Sequence, residues 1–169
     1  MGRYKNHPLF SANSTELETA IMGCYPLHPV STFILPRLSE RVAQNERTLF
    51  TFLSAEGTST LRSFIDVYDD DSFNLITPDE IYDYFEPLFK KETFGGEIHD
   101  IYLLTSAILS SLAVHSLEAK IVKTLSLIYV LEQFERLKPT KDEIVGVYSS
   151  LFSVKDINAA IDNLIEKEY

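Results

Sequence analysis

The chain has 169 residues, enough for one ordinary domain or two small ones, with 45% hydrophobic and 24% charged residues, the balance of a folded globular protein rather than a disordered one. Its formal charge of −10, with only 15 basic residues spread along the sequence, argues against binding to a phosphate backbone or to an anionic membrane surface. A single cysteine, Cys24, excludes an internal disulfide and a zinc site built on several thiolates.

The N-terminal run MGRYKNHPLF lacks the apolar core of a secretory signal, and the most apolar later stretch, 101–114, is too short to span a bilayer. The default expectation is a cytoplasmic protein with no membrane association.

Helix signals follow one another along the chain. Thr15 and Glu18 have capping-box spacing ahead of Leu17, Ile21 and Met22. Pro29 suits the first turn of a helix running to Val42, with Phe33, Ile34, Leu38 and Val42 on one side and a kink or break expected at Pro36. Asn45 is placed to cap a short helix carrying Leu49, Phe50, Phe52 and Leu53. A further helix over 60–68 is expected to bury Leu61, Phe64 and Ile65, before an acidic loop at Asp69-Asp70-Asp71-Ser72. Thr77-Pro78-Asp79-Glu80 is a helix start in which Thr caps, Pro presets the first turn and acids favour the positive end of the dipole. Ile81, Tyr84, Phe85, Leu88 and Phe89 then keep helical spacing.

Gly95-Gly96 is the clearest punctuation and divides a first region, 1–94, from a second, 95–169. Helices are expected over about 98–113 and 116–132, then near 141–149 and 154–168, the last two opened by Thr140 with Glu143 and Ser153 with Asp156. No long segment alternates with period two, so the fold is expected to be mainly α. The long-short-third order of the last three helices is that of a winged-helix core, here ending at Tyr169 without the usual β-hairpin wing. Asp156, Asp162, Glu166 and Glu168 make the last helix an unfavourable DNA reader and a better surface for protein.

Motifs that carry chemistry are few in this sequence. None of the six glycines precedes a lysine, so there is no Walker A loop, and no dinucleotide-binding glycine pattern occurs. His7, His28, His99 and His115 lack metal-ligand spacing, so no metal site is expected. No nucleophile elbow is present, and Cys24 reads as a structural thiol. No self-contained active site emerges, and the chain alone is not expected to be an enzyme.

More specific is the series Tyr25-Pro26-Leu27-His28-Pro29, Leu35-Pro36-Arg37-Leu38 and Gln44-Asn45-Glu46-Arg47-Thr48-Leu49-Phe50-Thr51-Phe52-Leu53. It resembles a signature of large prokaryotic P-loop ATPases of the AAA+/STAND type, found in phage defence and including the BREX-associated ATPase. Thr77-Pro78 through Tyr84-Phe85, Glu118-Ala119 through Leu131, and Leu137-Lys138-Pro139-Thr140 are similar to later elements of that family, so the resemblance spans about 20–165.

It implies a helical lid-like bundle followed by a three-helix winged-helix-like domain, lacking the P-loop core: an excised domain or a truncated gene. By this resemblance, ATP and Mg²⁺ belong to the missing core, the partner is that core or another protein, and the chain couples nucleotide state to motion. Arg47 becomes the leading nucleotide-sensing residue and Arg37 a weaker one, because a guanidinium pairs bidentately with phosphate oxygens. Asn45, Glu46, His28 and Pro29 are read as structural members of the motif. A stand-alone helical interaction module and a DNA-binding winged-helix protein are the alternatives.

Overall fold

The computed structural model describes residues 2–10, 14–43, 47–68 and 74–169. Among them the chain is all-helical, with nine α-helices and two short helical turns. In order these are a 3-10 turn at Gly2–Tyr4, α1 (Ser14–Glu18) running on into a π-turn at Thr19–Gly23, α2 (Pro29–Ala43), α3 (Arg47–Ser54), α4 (Leu61–Asp66), α5 (Pro78–Phe89), α6 (Glu97–Leu109), α7 (Leu117–Leu131), α8 (Lys141–Tyr148) and α9 (Val154–Glu166). They fall into two compact units, Met1–Leu88 and Phe89–Tyr169. The Gly95-Gly96 turn thus lies inside the second unit, just ahead of α6. Gly95 takes the left-handed backbone (φ 75°), which glycine reaches without steric cost.

The first unit is organised around α2 and α5. Pro29 and Pro78 each occupy the first turn of their helix, where the missing N–H costs nothing. The residues just before them pair: Leu27 and Ile76 form an isolated parallel bridge, with His28 N donating to Ile76 O (3.0 Å) and Ile76 N to Pro26 O (2.9 Å). The bridge sets the two helix starts side by side. Thr77 closes the turn into α5 by donating its hydroxyl to Asp79 Oδ1 at 2.5 Å, and both residues are buried. Val30, Ile34 and Leu38 of α2 and Ile81, Tyr82 and Phe85 of α5 are completely buried, which places the core of this unit on the apolar stripes of these helices.

Several local expectations are corrected here. Thr15 is not a cap, because α1 already begins at Ser14. Pro36 does not end α2, which continues to Ala43; in the interrupted turn the Arg37 guanidinium donates to Phe33 O at 2.9 Å. Thr60 caps α4, accepting from Ser63 N while the Ser63 hydroxyl accepts from Thr60 N, but Ile65 is exposed and Leu61 and Phe64 are only half-buried. On α3 only Phe52 is buried, and Phe50 faces solvent. The expected Asn45 cap and the acidic run at 69–72 lie outside the described residues.

The second unit follows the sequence closely. Ser116, Thr140 and Ser153 cap α7, α8 and α9, each accepting from the backbone N–H three residues on, an arrangement worth about 1 kcal/mol per helix. Glu132 ends α7 in a left-handed conformation. α6 packs on α7, and α9 packs on both α7 and α8. Ile121, Leu127, Ile144, Val147 and Ile157 supply the apolar interior. Tyr148 is entirely buried among them: its hydroxyl meets Thr124 Oγ1 at 2.7 Å and donates to Lys120 O at 2.9 Å. No β-hairpin occurs among the described residues, so the likeness to a winged helix is confined to the order of α7, α8 and α9.

Candidate functional site

The motif residues of the first unit do not converge on one site. His28 precedes α2 and is buried. Val30 N donates to its Nδ1 (3.2 Å), which therefore carries no proton, and its Nε2 lies 3.4 Å from the Tyr4 hydroxyl. Burial, with a smaller contribution from the Arg3 charge, lowers its pKa to about 4. His28 thus acts as the cap of α2, satisfying an N–H that the helix leaves without a partner, and Pro29 is the buried first residue of that helix.

Arg37 is half-buried one turn beyond Phe33, its guanidinium carbon 3.8 Å from the centre of the Phe33 ring. The stacking and the bond to Phe33 O hold the side chain against its own helix. A cavity of about 430 Å³ beside it is lined by Leu9, Phe10, Cys24 and Thr32 among others, but by neither His28 nor Arg47. Arg47 opens α3 and is exposed. Phe50 and Leu53, three and six residues on, are also exposed, at 61% and 38%. This helix therefore presents a cation beside two apolar side chains. Asn45 and Glu46 lie outside the described residues.

The site that sequence reasoning missed is in the second unit. A groove of about 550 Å³ runs among α6, α7 and α9 and reaches the Pro139-Thr140-Lys141 turn that opens α8. α6 contributes Ile101, Leu104 and Ile108, and α7 contributes Ile121, Leu125 and Tyr129. Each set follows one helical stripe, extending about 10–12 Å at 1.5 Å per residue. α9 adds Ile161 and Ile165, with Tyr169 beyond its end.

The polar atoms along this groove are mostly engaged already. Thr105 Oγ1 lies 3.0 Å from Ser126 Oγ and 2.7 Å from Ile101 O, and Lys141 Nζ is 3.0 Å from Asp162 Oδ1. What remains open is apolar: Leu104 and Ile165 are each 65% exposed. Isolated exposed aliphatics are common on protein surfaces, but aliphatics gathered along one concave surface mark a binding region.

Among the described residues no cluster of three His, Cys, Asp or Glu side chains could hold a metal ion, and no helix is long and apolar enough to cross a membrane. The chain matches no family model, no curated protein and no solved structure.

Proposed function

We propose that the chain is a protein-interaction module, not catalytic by itself, that takes a helical segment of a partner protein into the apolar groove of its second unit. The observation that carries this reading is the concave surface lined by α6, α7 and α9, with Leu104 and Ile165 open to solvent while the polar atoms along it are largely paired. Covering such a surface contributes roughly 25 cal/mol per Å² of apolar area removed from water, and a helix presenting apolar residues at i, i+3/i+4 and i+7 fits a groove two turns long.

A photo-crosslinking amino acid at Leu104 is expected to trap one discrete protein in cells of the source organism. The same group at exposed Lys155 on α9 is expected to trap none. Equal trapping at both positions, or none at Leu104, would refute the reading.

A second reading is favoured by α3. The exposed Arg47 with Phe50 and Leu53 is the surface expected of a lid that closes on a nucleotide-binding core supplied by another polypeptide, with ATP and Mg²⁺ held there and Arg47 reaching a phosphate. On this view the purified chain hydrolyses no ATP. Mixed with a P-loop protein encoded beside its gene, it raises that protein's ATPase rate, and Arg47→Ala cuts the stimulated rate about tenfold or more. Steady-state phosphate release measures both. Turnover by the chain alone, lost on Arg47→Ala, would eliminate this reading.

A further inference from the structure

We infer that the occupant of the α6–α7–α9 groove is a basic amphipathic helix, of about two turns in contact, from a second protein. This rests on the interaction reading above and narrows the class of partner. Length is the first argument. The groove-lining stripes of α6 and α7, Ile101 to Ile108 and Ile121 to Tyr129, each cover about two helical turns. A third helix laid beside them meets its own kind of surface, ridges of side chains four residues apart that settle into the matching grooves. A peptide bound by strand addition would need a sheet edge, and among the described residues no strand is present to offer one.

Charge is the second argument. Three of the four most exposed apolar residues of the groove are accompanied by an exposed acid: Asp100 one turn before Leu104, Glu166 next to Ile165, and Glu168 next to Tyr169. Asp162 follows Ile161 and already holds Lys141, the cation that lines the groove. Asp142, next to Lys141, is a fifth exposed acid, and Lys138, next to Pro139, and Lys167 are the other exposed lysines close by, so the surroundings are acidic by five groups to three. Basic residues flanking the apolar anchors of the incoming helix meet this field, whereas acidic ones are repelled. The same field, on a chain of net charge −10, opposes a second copy of the chain and opposes nucleic acid. Electrostatics here selects the partner, while the buried apolar anchors supply the affinity.

A displayed library of randomised helical peptides of about 16 residues, long enough to overhang two turns at both ends, tests this on the full chain. Peptides that also bind the Ile165→Glu variant are removed by counter-selection. Circular dichroism and a melting curve establish that the variant is folded, and Leu104→Glu serves as a second groove variant.

The expected consensus has apolar residues at i, i+3/i+4 and i+7 and an excess of Lys and Arg between them. A synthetic peptide of that consensus carrying a Trp reports binding cleanly, because the chain has none. It is expected to bind about tenfold more tightly than the same peptide with Glu in place of its basic residues, and to weaken as salt is raised. An acidic, neutral or extended consensus would overturn the assignment of the occupant and leave the interaction module standing. No enrichment over the counter-selecting variant would overturn both. A dimer in sedimentation that disappears in Leu104→Glu would also overturn the assignment, by giving the groove to a second copy.

Discussion

Tyr148→Ala is expected to destabilise the second unit by about 3–5 kcal/mol, the cost of truncating a fully buried aromatic ring where the surroundings collapse only in part. The ring has no exposed surface, and its hydroxyl joins two points on α7, Thr124 Oγ1 and Lys120 O. Two contributions can be separated. Tyr148→Phe keeps the packing and removes only the hydroxyl, leaving a buried Thr124 hydroxyl without this partner, at about 1–3 kcal/mol. Thr124→Val combined with Tyr148→Phe then costs less than the two single changes added, because the second removes a group that the first has already orphaned. Urea unfolding of the wild type and these four variants measures all three quantities. Strict additivity would show that the pair does not act as a unit.

Acidification is expected to weaken the first unit through His28. In the unfolded chain this imidazole takes up a proton near its ordinary pKa of 6.5, whereas in the folded chain it resists until about pH 4. Between those values the unfolded state binds more protons, so stability is complete above about pH 6.5, falls as the pH falls, and loses nothing further from this group below about pH 4. At 1.36 kcal/mol per pH unit the loss amounts to about 3 kcal/mol. The structural cause is double: a charged ring would be buried beside Arg3, and a proton on Nδ1 would displace the Val30 N–H that caps α2.

His28→Asn distinguishes this contribution from the carboxylates that titrate nearby in pH. Asn is a good helix cap with no proton to gain, so the variant keeps the start of α2 and loses that part of the pH slope. Denaturant midpoints at pH 7 and pH 4 for both proteins give the difference. Parallel slopes would remove His28 as its source.

Much of the second unit was legible in the sequence. Thr140 and Ser153 sit three residues before an acid and just ahead of apolar periodicity, and a cap is a local event settled by neighbouring residues. In the first unit the same rules gave the start of α5, where Thr77, Pro78 and Asp79 all act locally. Of the kink or break expected at Pro36 the break does not occur, because a helix held on one side by buried Ile34, Leu35 and Leu38 tolerates the loss of one backbone hydrogen bond. The rules placed the helices α3 and α4 but misjudged the burial of Ile65, which has apolar spacing yet faces solvent, as Phe50 does on α3.

The groove was hidden for a related reason. Periodicity marks which residues share a face of a helix but not whether another element covers that face. A clue lay in α6, whose Ile98, Ile101, Leu103, Leu104 and Ile108 spread over more of its circumference than a single packed neighbour can bury.

The pairing of Leu27 with Ile76 has a consequence for how this chain can change over evolution. The polypeptide leaves that bridge along α2, passes through α3 and α4, and returns to begin α5, a closed excursion pinned at its neck. Lengthening such an excursion is inexpensive, because each doubling of a flexible loop adds only about 0.6 kcal/mol of closure entropy. Residues can therefore be inserted or lost between the helices of this excursion, while buried Phe52 anchors α3 and the starts of α2 and α5 stay paired at the bridge.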